Sequence, residues 1–250
     1  MDLHQFETFD KGKPLRFQQP KLFYFHSPLI MPKQTLFLKL FTIGFALFAS
    51  LCMPVAAQIS PHQSVNAQLL VAARQVDMDG IQKSLDRGAS PNSRNREGKT
   101  ALFMGIEKNQ IAIVRTMLTA GADVNLASLE KVTPLIAAAY AGNAEIVGLL
   151  LDKGAKLEVQ DRLHKSALVY AAGMGHTGVV EQLLKAGALT DAAYADGLTP
   201  LMWAAGQGHA DTVKLLLAKG AQKQLKDDRG LSAADMAKDA GHIAIADLLQ

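Results

Sequence analysis

Residues 133–147 read Thr-Pro-Leu-Ile-Ala-Ala-Ala-Tyr-Ala-Gly-Asn-Ala-Glu-Ile-Val. Thr133 sets a side-chain oxygen where it can cap a helix, and Pro134 follows at the one helical position that tolerates proline. The alanine run after it is helix-forming and thin, so two such helices can approach closely. Gly142 permits a left-handed turn. Beyond it, Ile146, Val147, Leu150 and Leu151 line one stripe of a second helix, which stops at Gly154. The stretch encodes a helix–turn–helix pair too small to bury its apolar stripe alone.

The pair recurs. Leu69, Leu102, Leu135, Leu168 and Leu201 are spaced 33 residues apart, as are the Gly-Ala pairs at 88, 121, 154, 187 and 220. Gly142, Gly175, Gly208 and Gly241 keep the same step. The frames are 67–99, 100–132, 133–165, 166–198, 199–231 and a partial 232–250. Thr100, Ser166, Thr199 and Ser232 repeat the cap of Thr133. Stacking such units buries a continuous core, which predicts a solenoid held by nearest-neighbour interfaces. Asp235, Lys238 and Asp239 make the last unit polar enough to close the stack, and Asn66 stands where the first helix would be capped.

The pattern resembles the ankyrin-repeat family, on TPLIAAAYAGNAEIV at 133–147, TPLMWAAGQGH at 199–209 and GADVN at 121–125. The resemblance covers 67–250. It implies an all-α ankyrin-repeat solenoid whose helical pairs are joined by short β-hairpin or turn connections. One departure is plain: after Thr-Pro-Leu the family commonly carries His, whereas Phe103, Ile136, Val169 and Met202 stand there.

The N-terminal quarter reads as an address. Residues 40–55, LFTIGFALFASLCMPV, are uncharged, with Lys33 and Lys39 upstream and Val55-Ala56-Ala57 behind Pro54. That order describes a bacterial-type secretory signal over 31–57, cleaved after Ala57, with 58–66 a linker. Left uncleaved, the same run would tether the repeats to a membrane. Residues 1–30 lack helical or strand period and read as an upstream extension or an unstructured preface before Met31. The expected setting is the periplasm or the exterior.

Charge narrows the function. The 250 residues carry 26 Lys and Arg and 23 Asp and Glu. Removing Lys11, Lys13, Arg16, Lys21, Lys33 and Lys39 with Asp2, Glu7 and Asp10 leaves twenty of each in residues 58–250. A neutral body lacks the clustered excess cation that nucleic acid requires. The single cysteine, Cys52, lies in the apolar run, so the repeats hold no thiolate nucleophile and no cysteine metal ligand. His176, His209 and His242 recur one repeat apart. Stacked helices lie roughly 8–10 Å apart, too far for one zinc ion. Asp227-Asp228 reads as a solvated turn tip. No motif supplies catalytic, cofactor or metal residues.

The remaining reading is a non-catalytic, monomeric scaffold for a protein partner, whose preformed groove limits the ordering cost of binding. By the resemblance, contacts come from the hairpin tips and the ends of the first helices. The tips give Arg96, Glu97 and Lys99; Leu129, Glu130 and Val132; Arg162, Leu163 and Lys165; Asp196 and Leu198; Asp228 and Arg229. The helices give Glu107, Lys108, Tyr140, Met174 and Gln207, with Tyr170 and Trp203 bordering the groove. Tyr170 and Trp203 are either inter-repeat packing or aromatic anchors of the kind favoured at interface centres. Leu129, Val132, Leu163 and Leu198 form an apolar patch if exposed, or pack tip on tip if not. A secreted protein acting on host partners is a further setting for the same scaffold.

Overall fold

The computed structural model describes residues 64–250. The signal segment, its cleavage after Ala57, the preface and nearly all of the linker lie outside the described residues. Six helical pairs follow one another: α1 Val65–Gln75 and α2 Met78–Asp86; α3 Ala101–Glu107 and α4 Ile111–Thr119; α5 Pro134–Ala141 and α6 Ala144–Asp152; α7 Ala167–Gly173 and α8 Thr177–Lys185; α9 Pro200–Gly206 and α10 Ala210–Ala218; α11 Ala233–Asp239 and α12 Ile243–Leu249. The first helices α1, α3, α5, α7, α9 and α11 pack in that order, and α4, α6, α8 and α10 form a second row behind them.

Capping fixes where each first helix begins. Thr100, Thr133, Thr199 and Ser232 accept the N–H of the residue three along, at 3.2, 3.2, 3.3 and 3.2 Å. Ser166, expected to do the same, makes no side-chain cap bond. The first helix starts earlier than its sequence suggests, because Ser64 rather than Asn66 is the N-cap and accepts from Ala67 at 3.2 Å. Asn66 lies inside α1 and accepts the Ser90 N–H at 2.8 Å. Helix α1 therefore begins at Val65, within the stretch read as linker.

The second helices end alike. At Gly154 (φ 81°) the chain turns left-handed, and the Ala155 N–H reaches back to the Leu150 carbonyl at 3.0 Å. The same closing bond recurs at Ala89, Ala122, Ala188 and Ala221, satisfying a carbonyl the helix would leave unpaired. Between the helices of a pair, the left-handed Gly175 (φ 72°) lies under the His209 ring of the next repeat. A Cβ there would stand 2.5 Å from His209 Nδ1. His176 and His209 donate from Nε2 to the carbonyls of Tyr140 and Gly173, both at 3.0 Å. Burial holds His209 below the usual imidazole range, with His176 and His242 adding to the effect. These histidines brace successive repeats.

Small residues make the stack tight. Ala138, Ala139, Ala171, Ala172, Ala204 and Ala205 are fully buried where neighbouring first helices meet. Leu135, Ile146, Val147 and Leu150 fill the space inside one pair, and Leu168, Val179, Val180 and Leu183 repeat that filling one unit on.

The connections take the turn form of the expected hairpin or turn. The described residues contain no β-strand, and their one isolated bridge joins Lys226 and Ser232. The connections are five-residue turns. In each, the first N–H bonds the fifth carbonyl: Asn95 to Lys99, Ser128 to Val132, Asp161 to Lys165, Tyr194 to Leu198 and Asp227 to Leu231, at 2.9 to 3.2 Å. The tips then bond to one another, Leu129 N–H to Glu97, Arg162 N–H to Glu130 and Asp228 N–H to Asp196, at 2.9, 3.2 and 3.0 Å. Among the described residues no such bond joins the third tip to the fourth. Strand pairing would need longer extended arms than five residues provide.

Candidate functional site

The first residue of a tip determines how that tip is held. Asn95, Asp161 and Asp227 each turn a side-chain oxygen inward to accept two backbone N–H groups of their own tip, those of residues 97 and 99, 163 and 165, and 229 and 231, at 2.8 to 3.0 Å. This side-chain bracket is the familiar Asx turn. Asp227 is buried and also grips the Arg229 guanidinium at 2.7 and 2.8 Å. The reading of Asp227-Asp228 as a solvated pair is thereby corrected: only Asp228 is exposed.

The bracket leaves the second and third tip residues outward. Arg96, Glu97, Leu129, Arg162, Asp228 and Arg229 are exposed, and Glu130 and Leu163 are partly so. Leu129 keeps 55% of its surface in solvent, unusually much for a leucine at the centre of a row of tips. Arg162 pairs with Glu130 across the second and third tips at 3.3 Å. Asp196 is exposed on the fourth tip. At the ends of the first helices Glu107, Tyr140, Met174 and Gln207 are half-buried and Lys108 is exposed.

The fifth tip residue points the other way. Val132 and Leu198 retain 2% and 1% exposure, so neither belongs to an apolar surface patch. The peptide they close folds their side chains onto the first helix that follows. Lys165 is also buried at this position, against expectation. Its ammonium lies 4.9 Å from the centre of the Trp203 ring, 5.5 Å from Tyr170 and 5.7 Å from Tyr194. Burial pulls the Lys165 ammonium down to about 8, against the opposing pull of Asp161. Lys99, one tip position but two repeats earlier, keeps a raised value. Burial would lower it, but its hydrogen bonds to Glu107 and Glu97, at 2.9 and 3.0 Å, outweigh that loss.

Tyr170 and Trp203 are packing residues, not exposed anchors. Tyr170 donates its hydroxyl to Asp161 Oδ2 at 2.6 Å and meets Tyr140 edge-on at 5.6 Å. Burial, then the Asp161 bond, raises the Tyr170 phenol far above its ordinary range. Trp203 keeps 8% exposure and meets Tyr194 edge-on at 6.0 Å. Its indole fills the space above Gly173, where a Cβ would come within 1.6 Å of the ring.

Sequence reading missed Tyr194, Asp161 and Gly173. The signal was in the period: residues 95, 128, 161, 194 and 227 share a position, and Tyr194 breaks its Asn/Ser/Asp pattern. Among the described residues no three His, Cys, Asp or Glu lie together as metal ligands would, and no helix is long and apolar enough to cross a membrane.

The family model described as Ankyrin repeats (3 copies) matches residues 69–161, 107–193 and 168–250. No curated protein matches the chain.

Proposed function

The chain belongs to the ankyrin-repeat family, and from that premise we propose that it is a non-catalytic scaffold that docks a protein partner on its row of tips and first-helix ends. Ankyrin repeats are in general protein–protein interaction modules. The observation that carries the reading is Leu129, a largely exposed leucine on the second tip, with Leu163 part-exposed on the third and the Glu130–Arg162 pair between those tips. An apolar centre with a charged rim is the usual composition of a contact patch. Arg96, Glu97, Tyr140, Met174, Asp196, Gln207, Asp228 and Arg229 extend the contact along the row. The setting we propose is the periplasm or the exterior, reached through the apolar run at 40–55 and cleavage after Ala57.

Affinity capture from an exporting bacterium tests both parts. Leu129→Asp with Leu163→Asp is expected to abolish capture of partners held by the parent chain, with little change in melting temperature because Leu129 is largely exposed and Leu163 partly so. Equal capture by the double variant would remove this face as the site. N-terminal sequencing of the same material is expected to begin at Gln58 in the soluble fraction. A membrane-bound species retaining residues 31–57 would instead make the scaffold a tethered one.

A further inference from the structure

We propose that the fourth tip, Tyr194–Leu198, is a hinged flap that closes over Trp203, and that its release opens the Lys165–Tyr170–Trp203 cluster to solvent. The inference goes beyond the proposed use of the tip face by giving that face a moving part.

Four features in combination set this tip apart. First, Tyr194 stands where Asn95, Asp161 and Asp227 bracket their tips, and a phenol on a rigid ring cannot fold back to accept its own tip's N–H groups, so this tip, like the Ser128 tip, has no bracket. Second, the backbone bonds that tie tip to tip at 97–129, 130–162 and 196–228 have no counterpart between the third and fourth tips. Third, Asp196 (φ 62°) and Gly197 (φ 72°) are both left-handed, whereas each other tip has one such residue, the fourth. Fourth, the Tyr194 hydroxyl is buried without a hydrogen-bond partner, a loss that water would repair on opening.

Against these stand ring contacts: Tyr194 edge-on to Trp203 at 6.0 Å and the Lys165 ammonium 5.7 Å from the Tyr194 ring. The closed tip is thus held by ring contacts and opposed by the unpaired Tyr194 hydroxyl. The flap is tied to the fifth tip by the Asp228 N–H to Asp196 backbone bond and meets the third tip only through the Lys165–Tyr194 ring contact, so the seam opens on the Lys165 side.

Trp203 is the only tryptophan of the chain and sits under the flap, so the protein carries its own reporter. Relaxation dispersion on the protein alone is expected to show exchange on the μs–ms scale of loop and hinge motion. The Trp203 indole N–H and the amides of 195–198 should share one rate, while tips 95–99 and 227–231 stay flat. Tyr194→Phe removes the unpaired hydroxyl and should shrink the dispersion. Tyr194→Ala removes the cover and should raise acrylamide quenching of Trp203 severalfold. Flat profiles at 195–198 and Trp203, or one exchange rate common to all tips, would overturn the flap. Because no partner is present, a negative result here leaves capture through Leu129 and Leu163 standing, and failed capture leaves a positive result intact.

Discussion

Lys99 and Lys165 hold the same place in their repeats, the fifth residue of a tip, 66 residues apart. Their surroundings are opposite. Lys99 is partly exposed, bonds Glu97 and Glu107, and lies 5.7 Å from the Phe103 ring. Lys165 is buried among Tyr170, Tyr194 and Trp203, and its ammonium is pulled down to about 8. The difference comes from two frame positions. Helix end 107/140/173 offers a carboxylate to Lys99 but is glycine at 173, and that gap admits the Trp203 indole. The preceding tip residue 194 then adds a second ring. A repeat frame fixes where a side chain stands; its neighbours one unit away decide what the position is for.

The largest expected effect therefore falls on the glycine that makes the room. Gly173→Val should destabilise by about 3 kcal/mol, the upper range for overpacking a filled core, and should shift Trp203 emission to the red. Urea unfolding followed by that emission measures both. Gly178 in α8 has open space around its Cβ position, so Gly178→Ala should stabilise by about 0.5–1 kcal/mol, the ordinary gain in a helix. A Gly173→Val protein as stable as the parent would mean that Trp203 does not fill the space above residue 173.

The same pair shows how much could be read beforehand. The solenoid was legible because a 33-residue step in Leu, Gly-Ala and cap residues is a direct record of stacking. The outward tip residues Arg96, Glu97, Leu129, Arg162 and Asp228 were legible as variable positions in a fixed frame. The burial of Lys165 was not, since a lysine on a tip reads as solvated. Yet its equivalents Val132, Leu198 and Leu231 are apolar, and apolar residues at three of five equivalent sites already mark an inward position. Tyr194 and Gly173 escaped because their roles depend on a contact with Trp203, and contacts across repeats are invisible in a period that describes each repeat alone. Of the expected β-hairpin or turn connections the turn form is the one realised, because the tips close over five residues, three of them by side-chain brackets, leaving no arms to pair.

Replacing each lysine by methionine separates the two environments. Lys99→Met removes two ion pairs and leaves the part-buried Glu107 without its cation, which should cost about 1 kcal/mol. Lys165→Met keeps the stem among the rings, where sulfur packs well. Asp161 retains two amides and the Tyr170 hydroxyl as partners. Exchanging a buried charge for a well-packed apolar group is often neutral or stabilising, so Lys165→Met should unfold at the same or a higher urea midpoint. If Lys165→Met lost as much as Lys99→Met, the aromatic surroundings of Lys165 would not be the controlling difference.

The smallest expected effect is a pH dependence, and its sign follows from the Lys165 environment. Burial lowers the folded Lys165 value from 10.5 to about 8. Between those two values the unfolded chain binds more protons than the folded one, so stability rises with pH across that window. The folded chain carries the desolvation penalty in full below pH 8 and sheds it above. Lys99 acts in the opposite sense and only near the top of the range, because its raised value means stability lost as pH climbs past 10.5. Tyr170 and Tyr194, both raised chiefly by burial, likewise begin to oppose folding above about pH 10, where an unfolded tyrosine ionises. The clean interval is therefore pH 8 to 9.5, and the gain there should be on the order of 1 kcal/mol. The urea midpoint at pH 9.5 should exceed that at pH 8 in the parent chain and in Lys99→Met, and the two midpoints should coincide in Lys165→Met. A rise that survives Lys165→Met would assign the titration to another group and leave the two lysines electrostatically alike.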